Sequence, residues 1–313
     1  MRYIKDIKEG DNVSEHYLCA SKQILKTRVG KTYYSLLLQD KTGSMDTKIW
    51  ELSDGIANFE AGDYVKVEGS VVSFQGGLQL NVRRLRKSQT GEVDPKEYVP
   101  TVEGDMEQMY QELLGYVDKI GNAHLSQLAK KFFVEDKAFA ERFKTHTAAK
   151  TMHHNVMGGL LEHTLGILRM CEFLADAYPT VDRDLLFVGA LFHDMGKTRE
   201  LSSFPILEYT DEGQLVGHIV MAVEWIGEKI REIPGFPAPL ANLVKHMVLA
   251  HHGELEYGSP KKPAVLEAVL LHYADNIDAK VQTFGRILSE TDKESNWSYY
   301  QKPFESSIRR TRY

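Results

Sequence analysis

Along the first ninety residues, apolar side chains recur at every second position in short stretches interrupted by turn residues. Tyr33 to Gln39, Met45 to Trp50, Tyr64 to Phe74 and Leu78 to Leu85 follow this period, which puts alternate side chains on opposite faces of a strand. Asp40-Lys41-Thr42-Gly43 and Gln75-Gly76-Gly77 supply turn chemistry between them. Ser53 to Phe59 reads as one short helix between strands, so this half is expected to be a small five-stranded barrel with an interposed helix. If Leu36 and Leu38 face inward, alternation turns Tyr33, Ser35 and Leu37 outward, and Lys48 and Trp50 share that parity in the next strand.

Periodicity lapses between Ser88 and Asp105, where Gly, Pro and acids mark a linker. Beyond it the period becomes helical: Met109, Leu113, Leu114, Val117 and Ile120, then Leu160, Leu161, Leu165 and Leu168. Further helices are expected from Asp182 to Lys197, Gln214 to Arg231, Leu240 to Ala250 and Ala264 to Leu288, with Pro234, Pro237, Pro239 and Pro260 in the connections. The pattern therefore predicts a multidomain chain. A β-barrel occupies residues 1–87, a linker 88–105, an all-α domain 106–296 and a C-terminal tail 297–313. The tail, with its aromatics and Arg309, Arg310 and Arg312, is expected to dock on the domain rather than serve as a binding arm.

A length of 313 residues suits two domains, and 42% hydrophobic with 26% charged residues excludes a fibrous or disordered chain. No apolar run approaches the roughly 18 residues that cross a bilayer, and the N-terminus MRYIKDIKEG has no signal-peptide core, so a cytoplasmic protein without a membrane partner is expected. Cys19 and Cys171 lie far apart and form no CxxC pair, so neither a thiolate zinc site nor a disulfide framework is indicated. Charge changes the picture more. Residues 1–90 hold 14 Lys/Arg against 11 Asp/Glu (+3) and the remainder 24 against 33 (−9), which together give the net −6. A slightly basic module thus precedes an acidic one, as suits a polyanion-binding element joined to a metal-chelating body.

Histidines carry the candidate chemistry. His163 stands in GGLLEHT, His193-Asp194 in LFHDMGK, His218 in VGHIV, His251-His252 in LAHHGE and Asp275 in HYADNID. Imidazole and carboxylate donors suit Mn²⁺, Fe²⁺, Zn²⁺ or Mg²⁺ at a catalytic site, where a thiolate cluster would indicate structural zinc. Neighbours on a helix point about 100° apart, so His193 and Asp194 grip one ion only at the helix edge, whereas Asp194 can bridge two. A binuclear centre would use His163, His193, Asp194 and Asp275 for one ion and Asp194, His218, His251 and His252 for the other. Lys197, one turn from His193, can project its ammonium toward the same cleft and neutralise phosphate. In HHNVMGGLLEHT, His153 or His154 is a candidate substrate contact or leaving-group acid, and Gly158-Gly159 would permit close approach by substrate or another helix. His16, His124, His146, His246 and His272 read as ordinary surface or core histidines.

The ordered set H…HDxGK…H…HH…D resembles the HD-domain metal-dependent phosphohydrolases, an all-helical family whose defining ligands match His163, His193, Asp194 and Asp275. The extra His218, His251 and His252 resemble the subset with two metals; with a single ion they would contact phosphate instead. YYSLLLQDKTG followed by a strand ending in KIW resembles the OB-fold nucleic-acid-binding domains over roughly residues 13–87. On an OB-like β-barrel, outward Tyr33 and Trp50 can stack on bases while Lys48, Arg83, Arg84 and Arg86 follow phosphates. The succession of OB-like module, helical connector and HD domain resembles the YhaM family of 3′→5′ exoribonucleases over nearly the whole chain. That resemblance implies a cytoplasmic enzyme needing a divalent metal, manganese above all, that degrades single-stranded RNA and also single-stranded DNA from the 3′ end to 5′-mononucleotides. Two other readings remain: an HD-type nucleotide phosphohydrolase acting on small phosphate esters, and a non-enzymatic single-stranded nucleic-acid-binding factor with a structural metal. Nothing in the sequence fixes metal identity or excludes a homo-oligomer.

Overall fold

The structure is a computed structural model describing residues 1–27, 29–74, 77–148, 156–204, 207–292 and 294–312. The chain forms two compact units, one of residues 1–101 with 203–207 and one of residues 102–202 with 208–313.

In the first unit, β1 (Asn12–Lys26), β2 (Thr32–Asp40), β3 (Gly43–Ile49), β4 (Tyr64–Phe74) and β5 (Gly77–Lys87) close into a barrel in the order β1-β2-β3-β5-β4. The 15-residue β1 pairs antiparallel with β2 through its second half and with β4 through its first, with a bulge between Cys19 and Ser21 where it changes partner. Parallel pairing of β3 with β5, Asp46 opposite Gln79 and Lys48 opposite Asn81, completes the ring. Inward residues alternate as the period requires, with Leu36, Leu38, Met45, Ile49, Val65, Val67 and Leu80 buried and Leu37 turned out. The DKTG turn is pinned by buried Asp40, whose carboxylate accepts from the backbone N–H groups of Ile4 and Thr42, both at 2.6 Å. The Gln75-Gly76 turn lies outside the described residues.

Ser53 to Phe59 is not a helix. Ile56 instead bridges in parallel to Leu85, and Phe59 fills the barrel core. Seven residues interrupted by Gly55 nucleate a helix poorly, while edge pairing and one buried ring supply an alternative. Part of the segment expected to be a linker is folded onto the barrel. Asp94 caps a 3₁₀ turn over Pro95–Glu97, Glu97 accepts from Lys41 at 2.9 Å and from the Tyr3 hydroxyl, and buried Tyr98 meets Tyr64 edge-on at 5.0 Å.

The second unit contains α1 (Met106–Asp118), α2 (Ala123–Lys130), α3 (Lys137–Thr145), α4 (Gly159–Ala177), α5 (Arg183–Phe192), α6 (Lys197–Glu200), α7 (Asp211–Val216), α8 (His218–Arg231), α9 (Ala238–Ala250) and α10 (Leu266–Glu290). Its core centres on interlocking rings of Phe132, Phe133, Phe139, Phe143, Phe192 and Trp225, against which the apolar faces of α4, α5, α8 and α9 close. Two expected helices end earlier or divide. The one from Asp182 stops at Phe192, and the one from Gln214 splits between Val216 and His218. Gly158, just before α4, makes room for another helix: a Cβ there, at φ 84°, would lie 2.9 Å from both Met106 Sδ and Val102 Cγ2 at the approach to α1. Residues 297–313 include a hairpin, β6 (Trp297–Gln301) with β7 (Ser306–Arg309). Among the described residues, no helix is long and apolar enough to cross a membrane.

Candidate metal centre and nucleic-acid face

Helix ends bring the histidines of the second unit together. His193 caps the C-terminus of α5 and His251 that of α9; each directs its ring Nδ1 to the backbone carbonyl three residues earlier, Ala190 at 2.8 Å and Val248 at 2.7 Å. Those carbonyls can only accept, so Nδ1 carries the proton and Nε2 presents its lone pair inward. His252 is fixed in the same way by Tyr257 O at 2.9 Å. His163 lies within α4 with Nδ1 2.7 Å from Asp278 of α10, and His218 opens α8 with Nδ1 3.0 Å from Glu200. Because α5 ends at Phe192, Asp194 lies beyond the helix and its carboxylate folds back to within 3.4 Å of His193 Nε2. The angular restriction on helical neighbours does not apply there.

The distances sort the donors into two sets that meet at Asp194. Its Oδ2 is 3.4 Å from Nε2 of both His163 and His193, which are 3.2 Å apart, and Asp275 Oδ1 lies 3.3 Å from His163 Nε2. Its Oδ1 faces Nε2 of His218 at 3.6 Å and of His251 at 3.7 Å, with His252 beside them. Donors about 2.1 Å from one ion lie roughly 3–3.6 Å from each other, the spacing of the first set and close to that of the second. Asp194 Oδ1, His218 Nε2 and His251 Nε2 are buried with no hydrogen-bond partner. Burying such atoms unpaired costs about 1–3 kcal/mol each, more for a charged group, and a cation between them removes that penalty. The residues thus fit divalent metal, with two sets of donors meeting at Asp194.

Electrostatics point the same way. Burial raises Asp194, but Lys197, His193 and His163 hold its carboxyl well below the ordinary range. Burial, with His252 and His193 nearby, keeps His251 well below the usual histidine value, and burial also lowers His252, so both are neutral bases as ligation requires. Burial pulls His163 down, yet Asp194, Asp275 and Asp278 together lift it well above 6.5, marking a site with excess negative charge for a cation to offset.

A cavity of about 330 Å³ opens onto this centre, lined by His163, Asp194, Lys197, His252, Tyr257 and Asp275 among others. Lys197 reaches it from the first position of α6, its Nζ 2.6 Å from Asp194 Oδ2. Gly196 of HDMGK is required by close approach: a Cβ there would lie 2.0 Å from His218 O. The candidate acid His154, like His153, lies outside the described residues. Sequence reasoning missed the carboxylates that hold the His163 and His218 rings, Asp278 and Glu200. It also passed over His272, which lines the cavity and lies with Nδ1 3.1 Å from His251 O.

On the barrel, alternation places Tyr33, Ser35, Lys48 and Trp50 on the outer surface. Tyr33 stacks on Trp50 with centroids 4.7 Å apart, and Trp50 Nε1 donates to Asn81 at 2.9 Å. Lys48 is already engaged, 2.6 Å from Asp46 and 2.7 Å from Ser35 Oγ, which weakens its claim on phosphate. Arg83 is exposed on β5 beside Asn12, Ser14 and Glu68, a short way along β5 from the Asn81 that Trp50 contacts.

Comparisons with known proteins agree with both halves. The HD domain family matches residues 160–280, and the OB-fold nucleic acid binding domain family matches residues 20–87. Over 311 residues the chain is 33% identical to the 3′-5′ exoribonuclease YhaM of Listeria monocytogenes, covering 96% of this chain and 98% of that protein. The 3′-5′ exoribonuclease YhaM of Bacillus velezensis is 34% identical over 281 residues, covering 89% and 88%. A Geobacillus relative of the same name is 34% identical over 290 residues, again covering 89% and 88%. With an OB-fold barrel, a helical HD domain and relatives matched across almost their whole length, the chain belongs to the YhaM family.

Proposed function

We propose that the protein is a metal-dependent 3′→5′ exoribonuclease that also accepts single-stranded DNA and releases 5′-mononucleotides in the cytoplasm. The observation that carries this reading is the buried, unpartnered Asp194 Oδ1 facing the equally unpartnered His218 and His251 Nε2 atoms, with His163, His193 and Asp275 gathered on its other oxygen. The YhaM relatives supply the direction of attack and the polymer.

His163, His193, Asp194 and Asp275 would hold one divalent ion, and Asp194, His218, His251 and His252 the second, with manganese the favoured metal. When bound, such ions lower the pKa of water and stabilise charge on a phosphodiester. The chain's own residues do the rest. Asp278, Glu200 and the carbonyls of Ala190, Val248 and Tyr257 fix the ring orientations before substrate arrives. Lys197, whose ammonium pairs with Asp194 Oδ2 at the edge of the cavity, would turn from that carboxylate to neutralise phosphate as the 3′ oxygen departs. Tyr33, Trp50 and Arg83 on the barrel would hold the upstream strand by stacking and charge. Incubation of 5′-labelled single-stranded RNA with the protein and Mn²⁺ should give a ladder shortening from the 3′ end that EDTA stops. Intact RNA would reject the reading, and faster turnover of mononucleotide esters than of RNA would favour a small-molecule phosphohydrolase.

A further inference from the structure

The C-terminal hairpin presents an uncommon set of side chains to solvent: within four residues of β6, Trp297, Tyr299 and Tyr300 are 54%, 94% and 64% exposed. Pairing slips between Trp297, opposite Arg309, and Tyr300, opposite Ser307, so β6 carries an extra residue there. Such a bulge re-aims side chains, and here both Tyr299 and Tyr300 turn outward. The opposite side of the hairpin is fixed. Ser298 and Ile308 are buried, Ser298 Oγ accepts from Ile308 N at 2.9 Å, and Arg310 donates to Thr291 O at 2.7 Å and to Leu288 O at the end of α10. An unanchored two-stranded hairpin is marginal in water, so these contacts make a platform of what would otherwise fray.

Charge identifies what the platform fits. Residues 297–312 hold Lys302, Arg309, Arg310 and Arg312 against Glu305, a net +3, in a chain that carries −9 beyond residue 90. A cavity of about 480 Å³ lies between β6 and the end of α10, bordered by Arg286, Trp297, Tyr299 and Gln301. The hairpin exposes no large aliphatic side chain, the material that surrounds aromatic anchors in most protein interfaces, since Ile308 is buried. Rings interleaved with cations, without aliphatic surface, are the composition that stacks successive bases while following phosphates.

We infer that the β6–β7 hairpin is a second single-stranded RNA-binding surface, with bases stacking on Trp297, Tyr299 and Tyr300 and Arg309 meeting the backbone. The choice of polymer rests on the exoribonuclease reading above. Helix α10 links the surface to the metal centre, because Asp275 lies at the cavity and Ile287, twelve residues on and roughly 18 Å along the axis, lies beside the hairpin. A strand with its 3′ end in the cavity would be held upstream here.

Binding of a long 5′-labelled oligouridylate and of a trinucleotide to the full-length protein in EDTA tests the inference without catalysis. Trp297→Ala combined with Tyr299→Ala should weaken the long probe at least about tenfold and narrow its advantage over the short one, while Trp297→Phe with Tyr299→Phe should retain affinity within about twofold. Unchanged affinity in the alanine pair overturns the inference. So does weakening accompanied by a fall in particle mass by light scattering, which would make the hairpin a contact between copies. Loss of affinity at constant mass supports the inference even where added metal cleaves nothing, an outcome that rejects only the exonuclease reading. A wild-type protein that binds neither probe in EDTA overturns the inference and leaves the metal-dependent reaction to the digestion assay.

Discussion

Asp194 is the residue on which the site turns, since its two oxygens face different donor sets. Asp194→Ala should abolish RNA hydrolysis and lose both ions from the purified protein, whereas His251→Ala should lose chiefly one; metal analysis of the two variants separates a shared bridge from independent sites. Asp278→Ala should weaken metal binding about 10- to 100-fold by releasing the His163 ring, read by titrating metal into stripped protein. Metal affinity unchanged in that variant would contradict the orienting role. The histidines that the structure gathers around Asp194 could be read from sequence because they stand in short strings with chemical meaning. Asp278 could not, because acids on a helix face are common; its only signal is its position three residues after Asp275, on the same side of α10. The carbonyls of Ala190 and Val248 carry no sequence signal at all, since every residue has one.

Helix ends account for most of what the pattern misjudged. The apolar run through Leu191, Phe192 and Met195 extends the periodicity past Phe192, so the break that frees Asp194 was invisible until Gly196. Close approach of Gly196 to the first residue of α8 explains that glycine, and Gly196→Ala should destabilise the protein by about 1–3 kcal/mol in urea unfolding while lowering metal content, because His218 must move. Stability and metal content equal to wild type would show that the approach can relax. Another join is held by His146, whose ring nitrogens lie 3.1 Å from Thr147 O and 3.2 Å from Leu201 O. Burial lowers its pKa below 6.5, so the unfolded chain takes up a proton that the folded chain resists. Stability should therefore fall as pH drops below about 6.5 and level off once the folded ring also protonates; His146→Gln should flatten that slope in thermal melts, and an unaltered slope would assign it to other groups.

At the scale of the molecule, the switch from a two-residue to a helical period separated the barrel from the helices, and the outward parity of Tyr33 and Trp50 followed from alternation alone. Tertiary packing decided the rest. Tyr98 and Val99 bury within a stretch whose Gly, Pro and acids suggested only a linker, and the arginine-rich tail folds on a bulged hairpin that no local period announces. Trp50→Ala should weaken binding of long RNA in EDTA several-fold, by loss of one stacking ring, without altering metal content; equal affinity would remove the barrel face from the RNA path. The most direct test of the whole account is digestion of 5′-labelled single-stranded RNA by metal-stripped protein as Mn²⁺ is added back. No cleavage is expected without metal, and a ladder receding from the 3′ end is expected as Mn²⁺ is restored. Cleavage that persists without metal, or RNA left whole at saturating Mn²⁺, would contradict it.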